Sequence, residues 1–266
     1  MTLYYVIIKT KIMEVLMEKI GVADYGLLVW YGGYYDYNDR IDMVRSLGYD
    51  GLERIYPKSA EDALLAASNL KKKGMGFATV HHQDPELAMR WTAALGGKYV
   101  WASVQGGSSL EDYLRQVRYQ TEAANKYGID VAVHNHLGQR VETQEQLETF
   151  LKECPNTKLL FDVGHLAVAG GDVEYIAKTY YDRIVAYHFK GWQRSDTPDH
   201  EQWFKRGYFT GLEKGDFFVN NEAVFKHAVK KGFDGWMFIE QDTHKQDPII
   251  DLKESFEVMM KWRKEI

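Results

Sequence analysis

Ile184-Val-Ala-Tyr-His-Phe-Lys190 opens with a short apolar run and turns polar at His188. Three other segments do the same: Val131-Ala-Val133 runs into His134, Leu159-Leu-Phe161 into Asp162, and Trp236-Met-Phe-Ile239 into Glu240. Short continuous apolar runs read as strands buried on both faces, as in a parallel sheet. Ligand-type side chains at the carboxyl ends of several such strands are the pattern of a metal site at one end of a parallel α/β barrel.

Reading outward from these runs, apolar segments alternate with amphipathic ones from Tyr25 onward, which is the signature of repeated βα units. Strands are expected at 26–30, 51–55, 76–80, 99–104, 130–134, 159–162, 184–188 and 235–240, with helices between them and after the last. The fold class is therefore α/β, a single (β/α)8 barrel over residues 25–266, and a chain of 266 residues suits one such domain. Gly48, Gly74, Gly97, Gly128 and Gly232 stand where helices should end. Asn38, Ser59 and Thr143 mark helix starts, with Asp62 and Gln146 at the capping-box positions after the last two. Residues 1–24 read as an extension before the first strand, with Met13 and Met17 as alternative starts. Lys9 and Lys11 interrupt the apolar Leu3-Tyr-Tyr-Val-Ile-Ile8 before a secretory core reaches full length.

Composition narrows the function. Lys and Arg total 33 against 38 Asp and Glu, a mildly acidic balance with no footprint for a phosphate backbone, so no nucleic-acid partner is expected. No stretch approaches the roughly 20 apolar residues needed to span a bilayer. The single Cys154 forms no internal disulfide and fits a reducing cytoplasm. There is no phosphate-binding Walker loop, no dinucleotide glycine fingerprint after a strand, no serine elbow and no paired cysteines for zinc.

The strand-end set carries the chemistry. Two imidazoles and two carboxylates suit a divalent transition metal, with Mn²⁺ or Co²⁺ foremost and Mg²⁺, Fe²⁺ or Zn²⁺ as alternatives, better than a calcium cage. His134 and His136 point to the same side by alternation. Either could be the ligand; His134 is preferred for the metal and His136 for a substrate hydroxyl, because residue 136 lies farther into the loop. His165 is a further ligand, a proton carrier or a support for Asp162. Lys190 either anchors a substrate oxygen or is simply solvated. Glu53, at the end of the second strand, is read as a base or substrate-binding carboxylate. His82 and Trp30 are expected to line the cavity. Residues 191–216 lack periodicity, and their aromatic and basic side chains, Trp192 and Arg194 among them, read as a lid over the substrate.

These residues resemble the xylose-isomerase-like barrel superfamily of sugar isomerases and epimerases, and within it the inosose dehydratases. The resemblance runs from about Tyr25 to the C-terminus. It rests on His134-Asn-His-Leu-Gly-Gln-Arg-Val-Glu-Thr143, Phe161-Asp-Val-Gly-His-Leu-Ala-Val-Ala-Gly-Gly-Asp172, Tyr181-Asp-Arg-Ile-Val-Ala-Tyr-His-Phe-Lys190, Gly211-Leu-Glu-Lys-Gly-Asp216 and Ile239-Glu-Gln-Asp242. It implies one divalent metal on His134, Asp162, His188 and Glu240. Two positions depart from the pattern: many members carry Glu where His134 stands, and the dehydratases tend to carry an acidic residue where Gly191 stands. The implied function is a metal-dependent lyase dehydrating a cyclic polyol ketone such as 2-keto-myo-inositol through a metal-stabilised enediolate, with Glu53 or Glu240 taking the proton and His136 or Lys190 returning one. A sugar isomerase or epimerase using the same enediolate is the alternative, and a non-catalytic sugar-binding barrel the second. The partner is a small polyol or keto-sugar, and barrels of this kind often pair into homo-oligomers.

Overall fold

The structure, a computed structural model, describes residues 18–24, 37–104, 109–242 and 245–266. Eight strands build its centre: β1 (Lys19–Val22), β2 (Gly51–Ile55), β3 (Gly76–Val80), β4 (Tyr99–Trp101), β5 (Asp130–His134), β6 (Lys158–Asp162), β7 (Ile184–Phe189) and β10 (Trp236–Ile239). All pair in parallel in the order β3-β2-β1-β10-β7-β6-β5-β4. The sheet nearly closes on itself. β3 and β4 lie side by side, and the seam between them is bridged from helix α3 (Pro85–Ala94), where Thr92 Oγ1 accepts the Val80 N–H at 2.9 Å.

The remaining helices are α1 (Tyr37–Ser46), α2 (Ala60–Lys72), α4 (Leu110–Asn125), α5 (Gln144–Glu153), α6 (Val163–Val168), α7 (Val173–Thr179), α8 (Trp203–Arg206), α9 (Asn221–Lys230) and α10 (Pro248–Lys264). Their starts follow from side-chain chemistry. Ser59 Oγ accepts the Asp62 N–H at 3.2 Å, and Thr143 and Gln146 cap each other reciprocally, so two orphan donors are satisfied before each apolar face begins. Asn38 falls inside α1, not ahead of it. At the end of α3 the left-handed residue is Gly96, φ +85°, one position before the glycine expected there.

Strand alternation divides the side chains into two populations. Outward residues pack against the helices in the larger core. Inward residues make the barrel interior: Tyr99, Ala132, Leu160, Ala186, Trp236 and Phe238 form one buried cluster with Ala23 and Ala78. Trp236 and Phe238 stack at 5.5 Å between ring centroids. The space for that stack comes from the neighbouring strands, since a Cβ on Gly51 would fall 2.7 Å from the Trp236 ring and one on Gly76 3.2 Å from it. Two residues farther along each strand, the inward series continues as Trp101, His134, Asp162, His188 and Glu240, and as Glu53 on β2. One end of the interior is thus apolar and filled, and the other is polar.

Three expectations change. The strand expected at 26–30 lies outside the described residues, and the barrel's first strand is β1, within the segment read as an extension. Lys19 concealed it: the strand opens on this exposed lysine, whose ammonium sits 5.3 Å from the Trp236 ring centroid, and only the three residues after it are buried. The fourth strand is shorter than 99–104 because its ladder ends with Ala102 N–H on the Ala132 carbonyl, and the Ser103 N–H turns to Gln120 Oε1. Residues 191–216 are not irregular. They contain an antiparallel hairpin of β8 (Gly191–Arg194) and β9 (Gly207–Thr210), with α8 at its tip.

Asp251, in the first turn of α10, is buried with its Lys214 neighbour 3.9 Å away. Burial pushes its carboxyl up to about 6, and Lys214 opposes this only in part. A carboxyl whose folded pKa exceeds its unfolded one stabilises most below about pH 4, and that contribution is lost as pH rises through about 6. Asp251→Asn should therefore be more stable than the parent by about 1–2 kcal/mol at pH 8 and equal to it near pH 4. Thermal denaturation across that range measures the difference.

Candidate metal centre

His134, Asp162, His188 and Glu240 each bring one ligand atom to a common point, and these atoms all lie within 4.8 Å of one another. His134 Nε2 is 3.2 Å from Asp162 Oδ2, and His188 Nδ1 is 2.8 Å from Glu240 Oε2 and 3.6 Å from Asp162 Oδ2. Donors on a coordination shell of about 2.0–2.2 Å stand at most about 4.4 Å apart, so the set closes on a divalent cation with movements of a few tenths of an ångström. The donors fit chemically as well. Burial lowers His134 to about 4, leaving the neutral imidazole a ligand must be. Burial would raise Asp162, but the Lys190 ammonium beside it and the hydrogen bond with His134 hold its carboxyl well below the usual range. The four side chains form a binding site for a divalent metal ion.

The strands position these groups through their own ends. Asn135, one residue past His134, is fully buried, and its amide copies a peptide: Nδ2 donates to the Asp162 carbonyl and Oδ1 accepts the Asp162 N–H, each at 2.9 Å. The two ligand-bearing strand ends are thereby locked together beyond their backbone ladder. Asp162 also caps α6, its Oδ1 accepting the His165 N–H at 2.7 Å.

Lys190 is fully buried, so the solvated alternative fails. Its ammonium binds Asp162 at 2.8 Å, Asp242 at 3.0 Å and the Glu240 carboxylate, and lies 4.5 Å from the Phe209 ring centroid. Burial alone would lower it, but the three carboxylates raise it, and the lysine is charged. Asp242 is pushed up to about 6 by burial and by Glu240. A divalent cation and Lys190 together would balance Asp162, Glu240 and Asp242 in charge.

Leu137 settles the proton positions on the next two imidazoles. Its carbonyl lies 2.6 Å from His136 Nδ1, which must therefore donate, leaving His136 Nε2 with a lone pair. Its N–H donates to His165 Nδ1 at 3.3 Å, so the neutral His165 carries its proton on Nε2. Burial lowers both rings, which pack with centroids 3.7 Å apart and planes tilted by 36°. His165 Nε2 stays 3.9 Å from Asp162 Oδ2, too far for a hydrogen bond. Trp203 from the hairpin tip meets His136 and His165 edge-on, and Phe209 meets His165 at 4.6 Å.

The other expected site residues are distributed unevenly. Glu53 is brought to the centre, fully buried against His188. His82 lies beside the seam in a cavity of about 150 Å³ with Arg54 and Trp101. Trp192 packs at 4.7 Å on Phe209, one ring removed from His165, and Arg194 is exposed with its guanidinium 4.9 Å from the Phe217 ring. Trp30 lies outside the described residues. Trp101, Asn135 and Asp242 were not assigned a role from the sequence, although Asp242 follows the ligand Glu240 by the same two-residue step that links His188 to Lys190.

The purified protein should hold about one divalent ion per chain, and Mn²⁺ at 100 times its Kd should add about 2.7 kcal/mol of stability. His134→Ala and Glu240→Ala should lose both the bound ion, measured by elemental analysis, and the thermal shift.

The comparisons with known proteins agree with this geometry. The family model described as Xylose isomerase-like TIM barrel matches residues 41–265. The inosose dehydratase of Lactiplantibacillus plantarum is 29% identical over 150 residues, a match covering 52% of this chain and about half, 49%, of that protein. The inosose dehydratase of Mesomycoplasma hyopneumoniae (strain 7448) is 24% identical over 297 residues, covering 94% of this chain and 97% of that one. Among solved structures, 3-keto-D-glucoside 4-epimerase from E. coli superposes with a TM-score of 0.68 at 13% identity, covering 92% of this chain and all of that one, 100%. Among the described residues, no helix is long and apolar enough to cross a membrane. A parallel barrel with a buried His/Asp/His/Glu cage at its polar end, matched over nearly its whole length, belongs to the xylose isomerase-like TIM barrel family.

Proposed function

We propose that the protein is a metal-dependent lyase that removes water from a cyclic polyol ketone, with 2-keto-myo-inositol as the substrate to test. The observation that carries this reading is the direct hydrogen bond between the Lys190 ammonium and the Glu240 carboxylate at the metal cage. Elimination of water next to a ketone needs a base for the α-proton and an acid for the β-hydroxyl. A pair in contact serves departures from one face of the ring. Epimerisation instead needs a proton returned to the opposite face. The full-length similarity to a protein named inosose dehydratase supports the same choice.

A divalent cation in the cage supplies Lewis-acid polarisation of the ketone oxygen and a neighbouring hydroxyl. Glu240 accepts the α-proton, and the C–H electron pair forms the new double bond. Lys190 gives a proton to the β-hydroxyl as the C–O bond breaks, releasing water. The proton held by Glu240 then returns to the Lys190 amine along their hydrogen bond, restoring both groups. The free Nε2 lone pair of His136 accepts a hydrogen bond from a ring hydroxyl, and Trp203 and Phe209 wall the cavity against water. The chemistry suits Mn²⁺ or Co²⁺, with a neutral polyol as partner.

With Mn²⁺, the protein should convert 2-keto-myo-inositol to a conjugated dione followed by ultraviolet absorbance. No absorbance with Mn²⁺, Co²⁺, Mg²⁺, Fe²⁺ or Zn²⁺ rejects the substrate. Solvent deuterium entering recovered ketone without dehydration would replace the lyase with an epimerase. Lys190→Met should lower kcat by about 10²-fold or more while KM changes little.

A further inference from the structure

Glu53 is a buried carboxylate at the barrel mouth that the reaction just described does not use. Its side chain is fully buried, and Oε1 receives two N–H groups: Nε2 of His188 at 3.0 Å and Nε1 of Trp101 at 3.1 Å. Oε2 lies 3.7 Å from the Arg54 guanidinium, which is itself fixed by Asp24, whose Oδ1 accepts both the Arg54 N–H at 2.9 Å and its Nε at 3.4 Å. Arg54 also lies 4.6 Å from the Trp101 ring centroid. Every one of these contacts holds the carboxylate still, and together they place it behind the His188 ring, away from the cage on the Nδ1 side.

A histidine that ligates through Nδ1 must carry its ring proton on Nε2. A carboxylate accepting that proton's hydrogen bond fixes both the tautomer and the ring plane, and raises the basicity of the ligating nitrogen. We infer that Glu53 is a positioning residue for metal binding: it accepts the Nε2–H of His188 and so aims the Nδ1 lone pair into the cage, with Trp101 and Arg54 holding Glu53 in register. The chain of support runs from the end of β1 through Asp24, Arg54 and Glu53 to a ligand on the opposite side of the barrel interior. This replaces the base role expected for Glu53. It rests on the metal site and not on the reaction assigned to it.

The test is Mn²⁺ affinity of the purified full chain, read by isothermal titration and by electron paramagnetic resonance, which needs no substrate. Glu53→Ala should weaken binding by about 10–100-fold. Glu53→Gln keeps an oxygen that accepts from Nε2 but loses the charge, and should recover part of that loss. Trp101→Phe, which removes only the second donor to Oε1, should weaken binding by a few-fold. In Zn²⁺-loaded parent the His188 Nε2–H should give a downfield, slowly exchanging proton resonance that is absent from Glu53→Ala. Parent-like Mn²⁺ affinity in Glu53→Gln and Glu53→Ala, with or without loss of turnover, overturns the inference. A folded Glu53→Ala that still shows the His188 Nε2–H signal overturns it as well. Absence of activity toward every polyol ketone leaves these readouts unaffected and bears only on the proposed reaction.

Discussion

Carboxylates withdrawn from water must be matched by positive charge, and this requirement organises the polar end of the barrel. Asp162 is fully buried and Glu240 nearly so, and a charge taken into such surroundings without a partner costs several kcal/mol. Lys190 answers both, and its stem reaches them only because residue 164 is glycine: a Cβ there would stand 2.4 Å from Lys190 Cγ. The short motif Asp162-Val-Gly-His165 is therefore one device. It supplies a ligand, a helix cap, the gap for a lysine from the next strand, and the imidazole that packs against His136. A substitution at Asp162, Gly164 or His165 would be felt by the others through charge and packing.

Much of this was legible in the sequence because each ligand directly follows a short apolar run. Once the runs before His134, Asp162, His188 and Glu240 are read as buried parallel strands, the four side chains fall at the same rim, and the ligand set follows without any knowledge of tertiary contacts. The same rule placed Glu53 at the mouth but could not say what its oxygens would touch, because its partners His188 and Trp101 come from strands distant in the chain. Asn135, between His134 and His136, points away from the metal by strand alternation. Its use is to imitate a peptide group between two strands, which periodicity does not encode. β1 escaped because it is four residues long and begins with lysine, and the more apolar segment that follows it drew the assignment. The hairpin in 191–216 escaped because its strands are short and their pairing is antiparallel across a helical tip, so neither the period nor the length signalled a strand.

The aromatic side chains of that hairpin change how the mouth should be understood. Phe209 lies against both Lys190 and His165, and Trp192 backs it from behind. Trp203 closes over His136, with Gly138 leaving room for its indole, where a Cβ would sit 2.9 Å from Nε1. The wall is thus built from packed rings on a paired scaffold. Low polarity on that side strengthens the ammonium-carboxylate contacts it borders.

The order of the strands has a mechanical side. β5, β6, β7 and β10, which carry the four ligands, pair one with the next, with one register shift between β6 and β7 at Leu159 and Leu160. The discontinuity between β3 and β4 falls outside that run, one strand beyond β5, where a threonine hydroxyl from a helix accepts the Val80 N–H in place of a neighbouring strand. In this layout the strand-to-strand pairing runs through every ligand-bearing strand, and a join made by a helix side chain falls instead beside the cavity that holds His82.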